Sequence, residues 1–173
     1  MKIILIGFMG SGKSYWGKIW AQKNALNFFD LDELIEEQEK KSIADIFDIH
    51  GEDYFREKER TVLKTFLGVN DCIIACGGGT PCYHDNMKWM NEHAFTVYLE
   101  TTVQDIFDRV LEEQQTRPLI KKLNPAELRF FIEQKLKERD PFYKMADIIL
   151  KSEELVEHTF SKKILKKASK KLK

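Results

Sequence analysis

Gly7-Phe8-Met9-Gly10-Ser11-Gly12-Lys13-Ser14 decides the fold. The stretch fits G-x-x-x-x-G-K-[ST] in full and directly follows Lys2 to Ile6, an apolar, isoleucine-rich run that reads as a buried strand. A helix is expected from Lys13. Such a strand, loop and helix cradle phosphates: glycines let backbone N–H groups curl around the oxygens, and the helix N-terminus adds favourable partial charge. The candidate nucleotide ligands are therefore Gly10, Ser11, Gly12, Lys13 and Ser14, with Lys13 reaching the β- and γ-phosphates and the Ser14 hydroxyl available to Mg2+.

Further strands are expected at Phe28 to Asp32, Cys72 to Cys76, Phe95 to Leu99 and, more weakly, Asp147 to Leu150, with Asp32 capping a helix that begins near Glu33. Between them the apolar spacing turns helical: Ile43, Ile46 and Phe47; Tyr54, Phe55, Val62 and Phe66; Val103, Ile106, Phe107 and Val110. Strands alternating with helices imply parallel pairing through right-handed crossovers, hence a three-layer α/β/α fold. The stretch from Glu112 to Asn124 has mixed charge and holds Arg117-Pro118, which reads as a surface loop.

The chain has 173 residues, a length suited to one domain, and its 43% apolar and 32% charged residues exclude collagen-like and wholly disordered readings. No apolar run approaches the roughly 20 residues that span a bilayer. Lys plus Arg equals Asp plus Glu at 28 each, so no overall basic excess points to nucleic acid or an anionic membrane. The balance conceals an asymmetry, because residues 151–173 carry net +5 and the rest net −5. Cys72, Cys76 and Cys82 cannot all pair within the chain and lack a second cluster at zinc spacing, so they are read as reduced thiols in a cytoplasmic protein.

A phosphate loop alone does not name a reaction. A nucleotide switch is one alternative, and Asp48-Ile49-His50-Gly51 matches D-x-x-G, but Asp48 follows a helical pattern and no N-K-x-D segment exists. Asp30 and Asp32 stand two apart at a strand end, where α/β ligands bind; one can organise Mg2+ while the other accepts a proton, or one is a helix cap and the other is solvated. Gly77-Gly78-Gly79 costs backbone entropy without packing, which makes sense where a ligand lies against main chain. Arg56, Arg117 and Arg139 lie in different elements and, with a phosphate loop, can supply carboxylate clamps and a cation for the moving phosphoryl group.

Taken in order, these motifs resemble shikimate kinase. The likeness rests on Gly7 to Ser14; Asp30-Leu31-Asp32; Ser42-Ile43-Ala44-Asp45-Ile46-Phe47; Gly51 to Glu59; Gly77 to Gly79; Arg117-Pro118-Leu119; and Arg139-Asp140-Pro141-Phe142-Tyr143, covering roughly residues 2 to 150. The resemblance implies a nucleoside-monophosphate-kinase-like fold with strand order 2-3-1-4-5, transferring the ATP γ-phosphate to the 3-hydroxyl of shikimate. It further implies Asp32 as the base at the acceptor hydroxyl and Asp30 as linked to Mg2+. Arg56 and Arg139 are implied as holding the shikimate carboxylate, Gly77 to Gly79 as facing the ring hydroxyls, and Arg117 as the arginine near the phosphates. The same likeness implies Phe47 and Phe55 as lining the acceptor pocket, Glu59 as orienting Arg56, and Arg109 as the upstream adenine contact. In a loose transition state the acceptor proton leaves late, so Asp32 needs no raised pKa. Gluconate and nucleotide kinases are the alternative within the same class.

The expected layout is one domain over residues 1–173, a monomer, with an acceptor region near 31–60 and a lid near 112–124. Tyr15 and Lys18 depart from the usual threonine and arginine, and Glu112 and Glu113 make the lid more acidic than the family pattern. Beyond the likeness, Val156, Phe160 and Ile164 fall at four-residue steps, so a basic helix over about 152–173 is expected to pack on the body with its lysines in water rather than to bind nucleic acid or membrane.

Overall fold

The computed structural model describes residues 1–112, 114 and 119–172. Five strands, β1 (Lys2–Ile6), β2 (Asn27–Asp30), β3 (Cys72–Ala75), β4 (Phe95–Glu100) and β5 (Ile148–Lys151), pair in parallel in the order 2-3-1-4-5. Parallel neighbours need long crossovers. Here α1 (Lys13–Lys23), α2 (Leu31–Glu39), α3 (Ile43–Thr65), α4 (Asn86–His93), α5 (Val103–Glu112) and α6 (Pro125–Tyr143) lie between strands, and α7 (Leu165–Lys171) follows β5.

The central strand explains the layers. Every β1 side chain is buried, and successive residues point to opposite faces. Ile4 and Ile6 join one apolar cluster with Phe8, Leu31, Ile46 and Phe55; Ile3 and Leu5 join the other with Trp20, Val97 and Phe160. Register then sets the site. Asp30 lies opposite Ala75, and Ala75 opposite Leu5, so the phosphate loop, the aspartate pair and the three glycines all leave the sheet at one edge.

Several expectations need correction. The cap of α2 is Asp30, not Asp32: Asp30 keeps extended backbone and its side chain accepts from the Asp32 amide, so the helix starts at Leu31. No helical spacing marked α4 or α6. Yet α6 opens with a reciprocal cap, in which the Asn124 side chain accepts from the Glu127 amide at 3.0 Å while the Glu127 carboxylate accepts from the Asn124 amide at 2.8 Å. Pro141 falls inside the last turn of α6, where the helix is about to end. Of the expected lid at 112–124, residues 113 and 115–118, Arg117 among them, lie outside the described residues. No helix among the described residues is long and apolar enough to cross a membrane.

The tail is not one helix from 152. Ser152–Glu154 is a short 3-10 turn, Phe160–Ile164 a π turn, and only Leu165–Lys171 is α-helical. The Trp20 indole N–H donates to the Val156 carbonyl at 3.1 Å, taking an acceptor that a continuous helix would use, and the Thr159 hydroxyl bonds the Glu154 carbonyl. Val156 is 38% exposed, whereas Leu155, Phe160, Ile164 and Ala168 are buried, so the four-residue step holds only from Phe160 onward. Phe160 meets Trp20 with ring centroids 6.2 Å apart. Phe160→Ala is expected to cost about 3 kcal/mol and Val156→Ala under about 1 kcal/mol, checked by urea unfolding; equal costs would contradict this docking.

Candidate active site

The phosphate loop starts where β1 ends and closes at Gly12, which caps α1 at φ 89°, a conformation that glycine takes without strain. The Lys13 ammonium donates to the Gly7 and Phe8 carbonyls, each at 2.9 Å, and thereby bridges the loop. Ser14 Oγ donates to Asp30 Oδ2 at 2.5 Å while Asp30 Oδ1 caps α2, so both Asp30 oxygens are engaged. Arg109, on α5, donates to the Gly10 carbonyl at 2.9 Å. These groups line a cavity of about 660 Å³.

A second cavity, of about 580 Å³, lies beside it. Arg56, Phe47, Phe55 and Glu59 from α3, the glycine run Gly77 to Gly79, Arg139 from α6 and Leu119 line its walls. Met9, Ser14, Asp30, Asp32, Gly77 and Gly78 border both cavities. Apart from Met9, the seam between the two spaces is thus built from hydroxyl, carboxylate and bare backbone.

The two arginines are not solvated charges, since Arg56 is 4% and Arg139 6% exposed. Arg56 Nη1 donates to the fully buried Glu59 at 2.6 Å, and Glu52 accepts from Arg56 Nη2 at 2.7 Å and Nε at 3.1 Å. Residues three and four apart share a helix face, so α3 holds this guanidinium from both sides. Burial works against the charge on Arg56, but Glu59 and then Glu52 more than offset it and raise its pKa. Burial pushes the Glu59 carboxyl up, opposed by Arg56 and by a hydrogen bond from Thr80. Arg139 lies over the Phe8 ring with its guanidinium carbon 5.4 Å from the centroid. Phe47 and Phe55 pack with centroids 4.8 Å apart.

The glycines are required by close approach. A Cβ at Gly79 would sit 2.6 Å from Arg56 Nη1, and one at Gly77 2.6 Å from Glu59 Oε1 and 2.9 Å from Asp32 Oδ1. At Gly78 the carbonyl accepts from the Tyr143 hydroxyl at 2.5 Å. Tyr143, Thr80, Glu52 and Tyr83 are contributors that residue patterns did not single out. The nearest signals were Thr80 abutting the glycines, Tyr143 ending the Arg139 motif, and the Glu52–Arg56–Glu59 spacing.

Asp32, second residue of α2, has one buried oxygen, Oδ1, without a hydrogen-bond partner among the described residues. Burial, then the Glu59 and Asp30 charges, raise its pKa from 3.8 to about 7, with Lys13 and Arg56 opposing. A raised value, which the chemistry alone did not demand, is therefore a property of this site.

A parallel sheet of order 2-3-1-4-5 with a G-x-x-x-x-G-K-S loop after its central strand, opening on an acid-lined second cavity, defines a P-loop kinase. The family model for shikimate kinase matches residues 9–169, and the chain belongs to the shikimate kinase family, whose members are ATP-dependent kinases. A shikimate kinase of Phocaeicola vulgatus is 42% identical over 154 residues, covering 89% of this chain and 88% of its own length. The crystal structure of shikimate kinase from Bacteroides thetaiotaomicron superposes with a TM-score of 0.84 at 39% identity, covering 88% of this chain and 86% of that one. Shikimate kinase from Acinetobacter baumannii in complex with shikimate gives 0.85 at 31% identity, covering 99% of this chain and 95% of that one. A gluconokinase from Sinorhizobium meliloti, at 15% identity and TM-score 0.62, shares the fold alone.

The raised Asp32 pKa has a consequence for stability. An unfolded chain ionises Asp32 near 3.8 and the folded one near 7, so the stability that the neutral carboxyl contributes is full below about 3.8, falls as pH rises and is lost above about 7. Asp32→Asn removes this dependence. Its Tm is expected to exceed the parent's by about 3 °C or more at pH 8.5, with the gap closing toward pH 4; a gap that ignores pH in thermal melts would contradict the burial described.

Proposed function

We propose that the protein transfers the γ-phosphoryl group of ATP to the 3-hydroxyl of shikimate, giving shikimate 3-phosphate and ADP for chorismate and aromatic amino-acid synthesis. In this reading it is a single-domain, monomeric, cytoplasmic enzyme. The observation that carries the reading is the shared wall at Asp32, which divides a phosphate-loop cavity from one walled by two buried arginines and bare glycine backbone.

Arg56 and Arg139 bind the acceptor carboxylate, as buried guanidinium groups suit a planar anion. The main chain at Gly77 to Gly79, held at Gly78 by Tyr143, faces the ring hydroxyls, and Phe47 and Phe55 exclude water from one wall. The loop amides and Lys13 hold the phosphates, with Arg109 alongside. Asp32 takes the proton of the acceptor hydroxyl, and a pKa of about 7 suits a group that must receive a proton near neutral pH. Positioning and charge neutralisation do the remainder, because phosphoryl transfer needs no covalent help from the protein.

Mg2+ fits the donor set. Ser14 Oγ and an Asp30 oxygen lie 2.5 Å apart at the seam, and no group of three or more acidic, histidine or cysteine side chains among the described residues forms a closed cage. Mg2+ usually takes one or two protein oxygens plus phosphates and waters. Ser14 and Asp30 would hold it, Asp30 through water, and when bound it neutralises phosphate charge.

ADP release by purified protein with ATP and Mg2+ tests the acceptor directly, with shikimate, gluconate and nucleoside monophosphates compared in parallel. Stimulation by shikimate alone is expected; stimulation by another acceptor would overturn the assignment. Asp32→Asn is expected to lower kcat by about 10²-fold or more with little change in KM for ATP, and the fall in kcat/KM below about pH 7 expected of the parent should be absent from it. Arg139→Lys is expected to raise KM for shikimate about 10-fold, since an ammonium cannot replace a planar fork.

A further inference from the structure

Tyr83 lies outside the family motifs, on the turn that follows the glycine run and the 3-10 turn at Thr80–Cys82. Its ring covers the Arg56 guanidinium, with Cζ 4.5 Å from the centroid, closer than Phe55 at 5.3 Å or Phe47 at 6.0 Å. Its hydroxyl donates to Glu52 Oε1 at 3.1 Å, the same oxygen that accepts from Arg56 Nη2 and Nε. Tyr83 is 36% exposed and Arg56 4% exposed, so the ring and the Glu52 carboxylate stand between this arginine and solvent.

Glu52 directly follows a break in α3. Gly51 adopts φ 80°, ψ 175° inside the helix, and a Cβ there would meet nothing within 4 Å. Backbone conformation rather than space therefore demands glycine. Beyond the break, the i, i+4, i+7 spacing of Glu52, Arg56 and Glu59 puts them on one helix face. Of the five N–H groups of Arg56, Glu52 takes Nε and one on Nη2, and Glu59 takes one on Nη1. Among the described residues this leaves one N–H on each terminal nitrogen for an anion in the cavity that Arg56 lines.

We propose that Tyr83 is a positioning residue for the acceptor: by stacking on Arg56 and fixing Glu52, it presents the remaining Arg56 fork to the acceptor carboxylate and ties that fork to the glycine run. The inference rests on the shikimate reading. A ring and a carboxylate on the outer side cut the rotational freedom of the guanidinium and keep water from it, and both effects strengthen an anion contact on the inner side. The coupling runs through chain geometry as well, because Tyr83 is four residues from Gly79, whose backbone lies against the same guanidinium.

The test is equilibrium binding of shikimate, with KM for shikimate and for ATP, for the parent, Tyr83→Phe, Tyr83→Leu, Glu52→Gln and the Glu52→Gln/Tyr83→Phe double variant. Tyr83→Phe, which removes only the hydroxyl, is expected to weaken shikimate binding about 3-fold, and Tyr83→Leu, which also removes the stack, about 10-fold. The loss should fall on KM for shikimate and not on KM for ATP. In the Glu52→Gln background Tyr83→Phe should add almost nothing, since its hydroxyl acts through that carboxylate. If the parent binds shikimate and Tyr83→Leu binds it equally well, or if the two single losses simply add, the clamp is overturned and the shikimate reading stands. If the parent does not bind shikimate, both fall.

Discussion

The ion pair between Arg56 and Glu59, buried where α3 meets the glycine run, is the interaction on which the rest of the site depends. Removing one partner of a buried pair leaves an uncompensated charge, at a cost of about 3–5 kcal/mol. The pair is tolerable here because it is held on every side but the cavity: Glu52 on the outer edge of the guanidinium, the Thr80 hydroxyl on the second Glu59 oxygen, and main chain where a Cβ would collide. Gly77 and Gly79 follow from that density. They are where the backbone must come within contact distance of Glu59 and Asp32 and of Arg56, while Gly78 between them lies against the Met9 amide and Arg139.

The same crowding tunes the chemistry. Asp32 shares its surroundings with Glu59 and Asp30, and its inner oxygen has no partner among the described residues, so its charge is costly in the folded chain. Lys13 and Arg56 offset part of that cost. A carboxyl poised near neutrality at the seam of two cavities is the result, and it is obtained at the expense of stability above pH 7. Sheet register makes the seam possible, since Asp30, Ala75 and Leu5 stand side by side at the edge from which all three loops depart.

Much of this was legible in the residues, for identifiable reasons. The phosphate loop, the parallel pairing and the paired aspartates are local or topological, and each has its own signature, whereas the strand order came only with the family likeness. The seating of Arg56, Arg139 and Glu59 was legible only through family likeness, since a lone arginine or glutamate on a helical pattern carries no mark of burial. Cap assignment failed at Asp32 because two aspartates two apart offer equivalent side chains, and only backbone dihedrals choose between them. The tail failed from 152 to 159 because the Trp20 indole captures a carbonyl from 136 residues away. Tyr83 had no signal at all, as its partners lie on another element.

Recognition of the acceptor through its carboxylate by two buried guanidinium groups is the central claim, and it concerns a functional group that can be masked. The direct measurement is kcat/KM for shikimate against its methyl ester, under identical ATP and Mg2+. A loss of about 100-fold or more for the ester is expected, because the arginine forks then face a neutral group and keep unpaired donors. Comparable values for the two compounds would contradict the assignment of Arg56 and Arg139 to the acceptor.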